Sequence, residues 1–414
     1  MNSRFTSLSA VLLLVLFHAC SEEPGATDAR SAPPTSRGER AFAPFQAELL
    51  DLAWRAATAF PLDPHVKTRS RVQQQVIDLW LELGQVDRAR LAADEVANWR
   101  RGACYADIAR HRIGRGESTE VDDLLGRARA IADQHMQGAD AQQWRRDAIL
   151  ARIAEARLAQ GDLDGAGAMR TGLEDSEVGR LDAAFADRLA AGDFDAQVER
   201  IDAVLAQGGL EQVRNALLVA ARLFDRFYDD EARRGPMRER VQHGFAKLPL
   251  QLRIELLAEL AKTAVDHGDR RTALGIVGDA QLLFEGGRWL AENRVPMMGR
   301  LAGLRHLAGD GTGAGRELKA ALGLFDAERE QIIDIYRAAA LRPIAEAYVA
   351  IGDLEAARAV YLRALDEGQV NPNSRPRAED LVATCCSMVE HGFEPDTGLL
   401  GRLNQVLEGL GDPW

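Results

Sequence analysis

Gly309-Asp310-Gly311-Thr312-Gly313-Ala314-Gly315 is the densest glycine run in the chain, and backbone this free of side chains could wrap a phosphate. Dinucleotide folds set such a run between a strand and a helix. Here it follows a helical apolar spacing, Leu301 to Leu307, so it reads as a loose turn between helices. A phosphate-binding P-loop needs Gly-Lys, and none of the four lysines (Lys67, Lys247, Lys262, Lys319) follows a glycine. Cys104, Cys385 and Cys386 are odd in number, and only His391 stands near the vicinal pair, so metal-ligand spacing is absent. Small apolar roles on helices suit these thiols; a vicinal bridge, or a bridge to Cys104, is the alternative. Adjacent acids (Glu22-Glu23, Asp122-Asp123, Asp229-Asp230) are common on solvated faces and specify no glycosidase pair. The histidines are scattered, with His111 and His267 near expected helix ends, where a cation is favoured. Trp99-Arg100-Arg101 and Trp144-Arg145-Arg146 could take an acidic peptide but read as surface faces, and Trp414, after Gly-Asp-Pro, is expected to be exposed. With no G-x-S-x-G elbow, H-E-x-x-H or EF-hand loop, no catalytic, cofactor-binding or metal-binding residue is assigned, and the chain is not expected to be an enzyme.

The elements that carry these residues are helical. From Phe42 onward apolar residues recur at three and four, and no sustained period of two occurs. Candidate helices include Val72–Leu83, Val86–Ala97, Ala141–Gln160, Arg253–His267, Ile332–Ile351 and Leu354–Asp366. Over 414 residues, 46% hydrophobic and 28% charged content exclude wholesale disorder. A net charge of −12 excludes a nucleic-acid partner, which calls for a basic face.

Within this body, Leu341, Ile344, Ala345 and Tyr348 are followed by Gly352-Asp353 and then Ala357, Tyr361 and Ala364. This unit resembles a tetratricopeptide repeat, two antiparallel helices in about 34 residues. Gly352 suits the left-handed end of the first helix, and Asp353 caps the second. Weaker copies surround Gly84, Gly161-Asp162, Gly192-Asp193, Gly268-Asp269 and Gly309-Asp310, at irregular spacing. The resemblance implies an all-α, α–α superhelix over residues 44–414, a divergent solenoid of helix pairs. A bend is expected near 229–236, a helix start near Leu341 with Pro343 in its first turn, and a pair at 378–414 capping the open end of an elongated stack.

The N-terminus supplies an address. Arg4 precedes an apolar run, Leu8 to Phe17, too short for a permanent span, with small Ala19 before Cys20. Phe17-His18-Ala19-Cys20 resembles the lipobox of bacterial lipoproteins, although that family prefers Leu and a small residue where Phe17 and His18 stand. The resemblance implies a signal peptide at 1–19, lipidation of Cys20, and a lipid-anchored place in the cell envelope, with Ser21 compatible with the outer membrane. Plain secretion and an uncleaved anchor are the alternatives. Residues 20–43, rich in Ser, Pro, Gly and charge, read as a solvated tether. A helical-repeat body on such a tether implies a protein or peptide partner bound by shape. The alternatives are an α/α-toroid enzyme acting on envelope polysaccharide and a self-associating structural subunit.

Overall fold

The computed structural model describes residues 42–135, 142–244 and 248–414. Its described residues form nineteen α-helices and no strand. The first ten are α1 (Pro44–Ala59), α2 (Leu62–Glu82), α3 (Val86–Ala93), α4 (Arg100–Gly114), α5 (Val121–Gln134), α6 (Gln143–Gln160), α7 (Leu163–Arg170), α8 (Asp175–Ala186), α9 (Phe194–Gln207) and α10 (Leu210–Arg226). They continue as α11 (Glu231–His243), α12 (Leu250–Asp266), α13 (Arg270–Glu285), α14 (Ala291–Leu307), α15 (Gly311–Glu328), α16 (Asp334–Ile351), α17 (Leu354–Gly368), α18 (Ser374–Glu390) and α19 (Thr397–Glu408).

The turns follow from the chemistry of two residues. Gly161, Gly268, Gly309 and Gly352 all adopt positive φ, the left-handed conformation that ends a helix without a Cβ clash. The next residue, Asp162, Asp269, Asp310 or Asp353, then accepts the backbone N–H three residues on and starts the following helix. Gly192-Asp193 departs from this pattern: it lies in a 3₁₀ turn, Ala191–Asp193, and Asp193 caps nothing. Gly352 has open space around it, so Gly352→Ala tests conformation alone. It is expected to lower stability by about 1 kcal/mol in urea unfolding.

Four expectations change. Pro343 lies inside a continuous α16, not in a first turn; the missing N–H frees the Ala339 carbonyl, and both residues line an internal cavity. The join expected over 229–236 falls at 227–230, between α10 and α11, and Arg234-Gly235-Pro236 sits inside α11. In the glycine run only Gly309 and Asp310 form the turn, and Gly311 to Gly315 begin α15. Most consequential, the last pair does not cap an open end.

The even-numbered helices form one run of neighbours, α2 on α4 and so on to α16 on α18, and α18 then packs on α2. The superhelix is closed. Odd-numbered helices lie outside this layer, and α1 fills the outer place at the seam, packed along both α18 and α2. Its apolar stripe, including Leu49, Leu50, Ala53 and Ala56, is fully buried in one core continuous with Leu381, Cys385 and Leu399. Phe60 packs on Trp414, with ring centroids 5.3 Å apart, so Trp414 is a seam residue, while Trp144 is the exposed tryptophan. Nine inner helices about 9 Å apart give a ring roughly 26 Å across between axes, leaving a lumen that side chains partly fill. At Gly299 of α14 an added Cβ would meet the backbone of Pro343 and Ile344 within 3 Å, so a hydrogen is all that this helix crossing admits.

Candidate functional site

The inner helices carry charge into the lumen, and its two sides treat that charge differently. Along α4, α6 and α8 carboxylates meet arginines. Asp107 pairs with Arg152 at 3.0 Å, Glu155 with Arg180, and fully buried Asp147 with Arg146 at 2.9 Å. Asp78 of α2, facing this network, is pushed upward by burial and by Asp107. The first two pairs tie α4 to α6 and α6 to α8, while Arg146 neutralises Asp147 within α6.

Across the lumen a cavity of about 420 Å³ opens between α2, α12, α14, α16 and α18. Glu255, Glu346 and Glu390 line it. Glu82, at the end of α2, stands close enough to Glu390 across the seam to repel it. The cations nearby are committed: Arg342 binds Asp380 at 2.9 Å, and Arg300 lies 3.8 Å from Glu255. Ser387 Oγ donates to Glu346 Oε1 at 2.8 Å, so the 2.9 Å contact between Tyr361 and Ser387 must have the tyrosine hydroxyl as donor. Glu390 has no hydrogen-bond or ion-pair partner among the described residues; burial first, then Glu346 and Glu82, push its carboxyl up to about 8. Glu82 is exposed at the end of α2, so partial loss of hydration raises its carboxyl while solvent screens the effect. The cavity thus holds Glu346, supported by a hydroxyl, Glu255 near Arg300, and Glu390 with no counter-charge among the described residues.

His391 also lines the cavity and is 7% exposed. Its Nδ1 lies 2.9 Å from the Ser387 carbonyl, which can only accept, so Nδ1 carries a proton and donates it there. Cys386 lines the same wall, while His111 and His267 lie elsewhere, at the ends of α4 and α12. Helix-end placement does not leave His111 easily charged: burial pushes its imidazole down to about 4. His267 stacks on Tyr228 at 4.1 Å and contacts Asp225.

Cys104, Cys385 and Cys386 are free, fully buried thiols, and burial drives each well above its ordinary value. All three are expected to resist a thiol reagent at pH 8 in the native ring and to react together on unfolding. Rapid native labelling of any one would contradict this. Cys20 lies outside the described residues, as do the expected signal peptide and nearly all of the tether. Among the described residues no helix is long and apolar enough to cross a membrane, and no cluster of three or more metal-ligating side chains occurs.

Sequence reasoning missed Glu82, Glu346, Ser387 and Glu390. A signal existed: Glu82 and Glu390 each stand two residues before a glycine of positive φ, Gly84 and Gly392. They occupy equivalent places on inner helices that become neighbours only when the ring closes.

A second surface lies on the rim where inner helices begin. Leu290 is 65% exposed and Ile333 54%, with Ile335, Tyr336 and Val370 also exposed. Asn371 donates to Asp334 Oδ2 at 3.0 Å and ties these loops together, and α14 packs directly on α16.

No family model matches the chain, and no curated protein matches it. Among solved structures it is similar to a circular tandem repeat protein with novel repeat topology and enhanced subunit contact surfaces, at 15% identity and a TM-score of 0.25, over 88% of this chain and 94% of that one.

Proposed function

We propose that this chain is a lipid-anchored component of a bacterial cell envelope whose ring of tetratricopeptide-like helix pairs binds another protein and performs no catalysis. The observation that carries the reading is the apolar rim of Leu290, Ile333, Ile335, Tyr336 and Val370, since clustered exposed apolar side chains on a folded body mark a contact surface. Its position supports a protein partner over the membrane. Gln46, in the first turn of α1, donates to the Val389 carbonyl near the end of α18, so the chain enters at the opposite rim. An anchor at Cys20 would join the ring on that opposite rim, with the periplasmic face of the outer membrane the favoured setting.

The test is photocrosslinking in the native envelope from Leu290 and Tyr336, with Leu282 on outer helix α13 as control, beside fatty-acid labelling of wild type and Cys20→Ala. Foreign-protein adducts from the rim alone, with label lost in Cys20→Ala, are expected. Adducts solely to this chain would make it a self-associating subunit; wild type without label would remove the anchor.

Ring closure favours one second reading, an α/α-toroid enzyme acting on polysaccharide, because one cavity brings together Glu346, which accepts from Ser387, and Glu390, raised to about 8. The cavity wall carries no Trp, Tyr or Phe on which a sugar could stack. Release of reducing ends from envelope polysaccharide by wild type, lost in Glu390→Gln, would establish that reading and displace the first.

A further inference from the structure

We propose that the cavity between α2, α12, α14, α16 and α18 is a cation-recognition site that takes the guanidinium or ammonium end of an arginine or lysine side chain on the partner. This rests on the protein-binding reading for the source of the cation, and on the cavity alone for its chemistry.

Three features converge. First, Glu346 and Glu390 line the wall with Glu82 beside them, and the nearest arginines are already paired with Asp380 and Glu255. Second, Glu82 and Glu390 end α2 and α18, where the helix dipole already carries partial negative charge. Stability alone would place a cation there; two carboxylates at two adjacent helix ends lower the potential further and leave it uncompensated. Third, His391 lines the same wall with Nδ1 on the Ser387 carbonyl, and its Nε2 has no partner among the described residues and is open to an incoming N–H donor. Once Glu390 and Glu82 are ionised an anion would be repelled, and a neutral apolar group would strand these acceptors. A volume of about 420 Å³ admits a long side chain with its flanking backbone, within the range of small-molecule sites.

A cation arriving beside Glu390 and Glu82 favours their ionised forms, so binding near neutral pH releases protons. The groups facing Glu390 are Glu346 and Arg342 of α16, Glu82 of α2, and Cys386 and His391 of α18, with Glu255 and Arg300 on the far wall.

The test is calorimetry of the full chain with a hexapeptide bearing one central arginine, the same peptide with citrulline, and free agmatine. The arginine peptide is expected to bind at least tenfold more tightly than its citrulline isostere, with proton release at pH 7 and affinity rising from pH 6 to 8.5. Glu390→Gln and Glu346→Gln should each weaken the arginine peptide tenfold or more and leave the citrulline peptide unchanged. Equal binding of the two peptides, or no binding, would overturn the proposal. Agmatine binding as tightly as the peptide would overturn the side-chain source. Arginine recognition without foreign adducts in the envelope would fault the partner reading and leave the site standing.

Discussion

Leu49→Ala is expected to lower the unfolding free energy by about 3 kcal/mol, whereas Arg71→Ala at the same seam should change it by less than about 1 kcal/mol. Both residues join the chain's two ends, so the contrast asks which force closes the ring. Leu49 is fully buried in α1, between the first and last inner helices, and truncation loses both transfer energy and packing. Arg71 reaches Glu379 at 2.9 Å, but the two side chains remain 45% and 32% exposed, so water already solvates much of the pair. Urea unfolding of the two variants measures the difference. A fluorescence pair at positions 71 and 379 should separate at lower urea in Leu49→Ala than a pair within α16 and α17. Equal costs for the two substitutions, or simultaneous separation, would mean that closure is not driven by apolar burial at α1.

Why the seam escaped the sequence is physical. Local chemistry is legible: left-handed glycines, capping aspartates, buried Ala345 and Ala357, and Tyr361 filling the space toward the next unit at Ser387 and Phe393 all follow from residue type and spacing. The position of the far end depends on the accumulated rotation of nine inner helices, about 40° each for closure, and no residue encodes that sum. A few degrees less per pair would give the open stack expected from the repeat. The site inherits this blindness. Glu82 and Glu390 are 308 residues apart in the chain and read singly as helix-surface acids; closure makes them neighbours. Pro343 misled for a related reason. In isolation it argues for a helix start, but packing against Gly299 keeps α16 continuous through it.

The unmatched carboxylates should also leave a signature in stability against pH. Glu390 ionises near its ordinary value of 4.5 when unfolded but only at about 8 in the ring. Across that window the folded state holds the extra proton, so Glu390's contribution to stability is fully present below about pH 4.5 and is lost as pH rises through 8. Glu82, raised in the same direction but exposed, acts with the same sign and more weakly. Glu390→Gln keeps the neutral form at every pH and removes its share of the slope. The variant is expected to match wild type near pH 5 and to exceed it at pH 9 by about 1–2 kcal/mol, a figure reduced for the solvent that reaches the lumen. Urea unfolding of both chains at the two pH values reads this directly, and identical slopes would mean that Glu390 has a counter-charge in solution. The direction separates two uses of the cavity. A site built for stability would gain from ionisation, as Asp107 does beside Arg152; this one loses from it until a cation arrives. Saturating arginine peptide at pH 9 should therefore restore to wild type the stability that Glu390→Gln gains without ligand, and should add little to the variant.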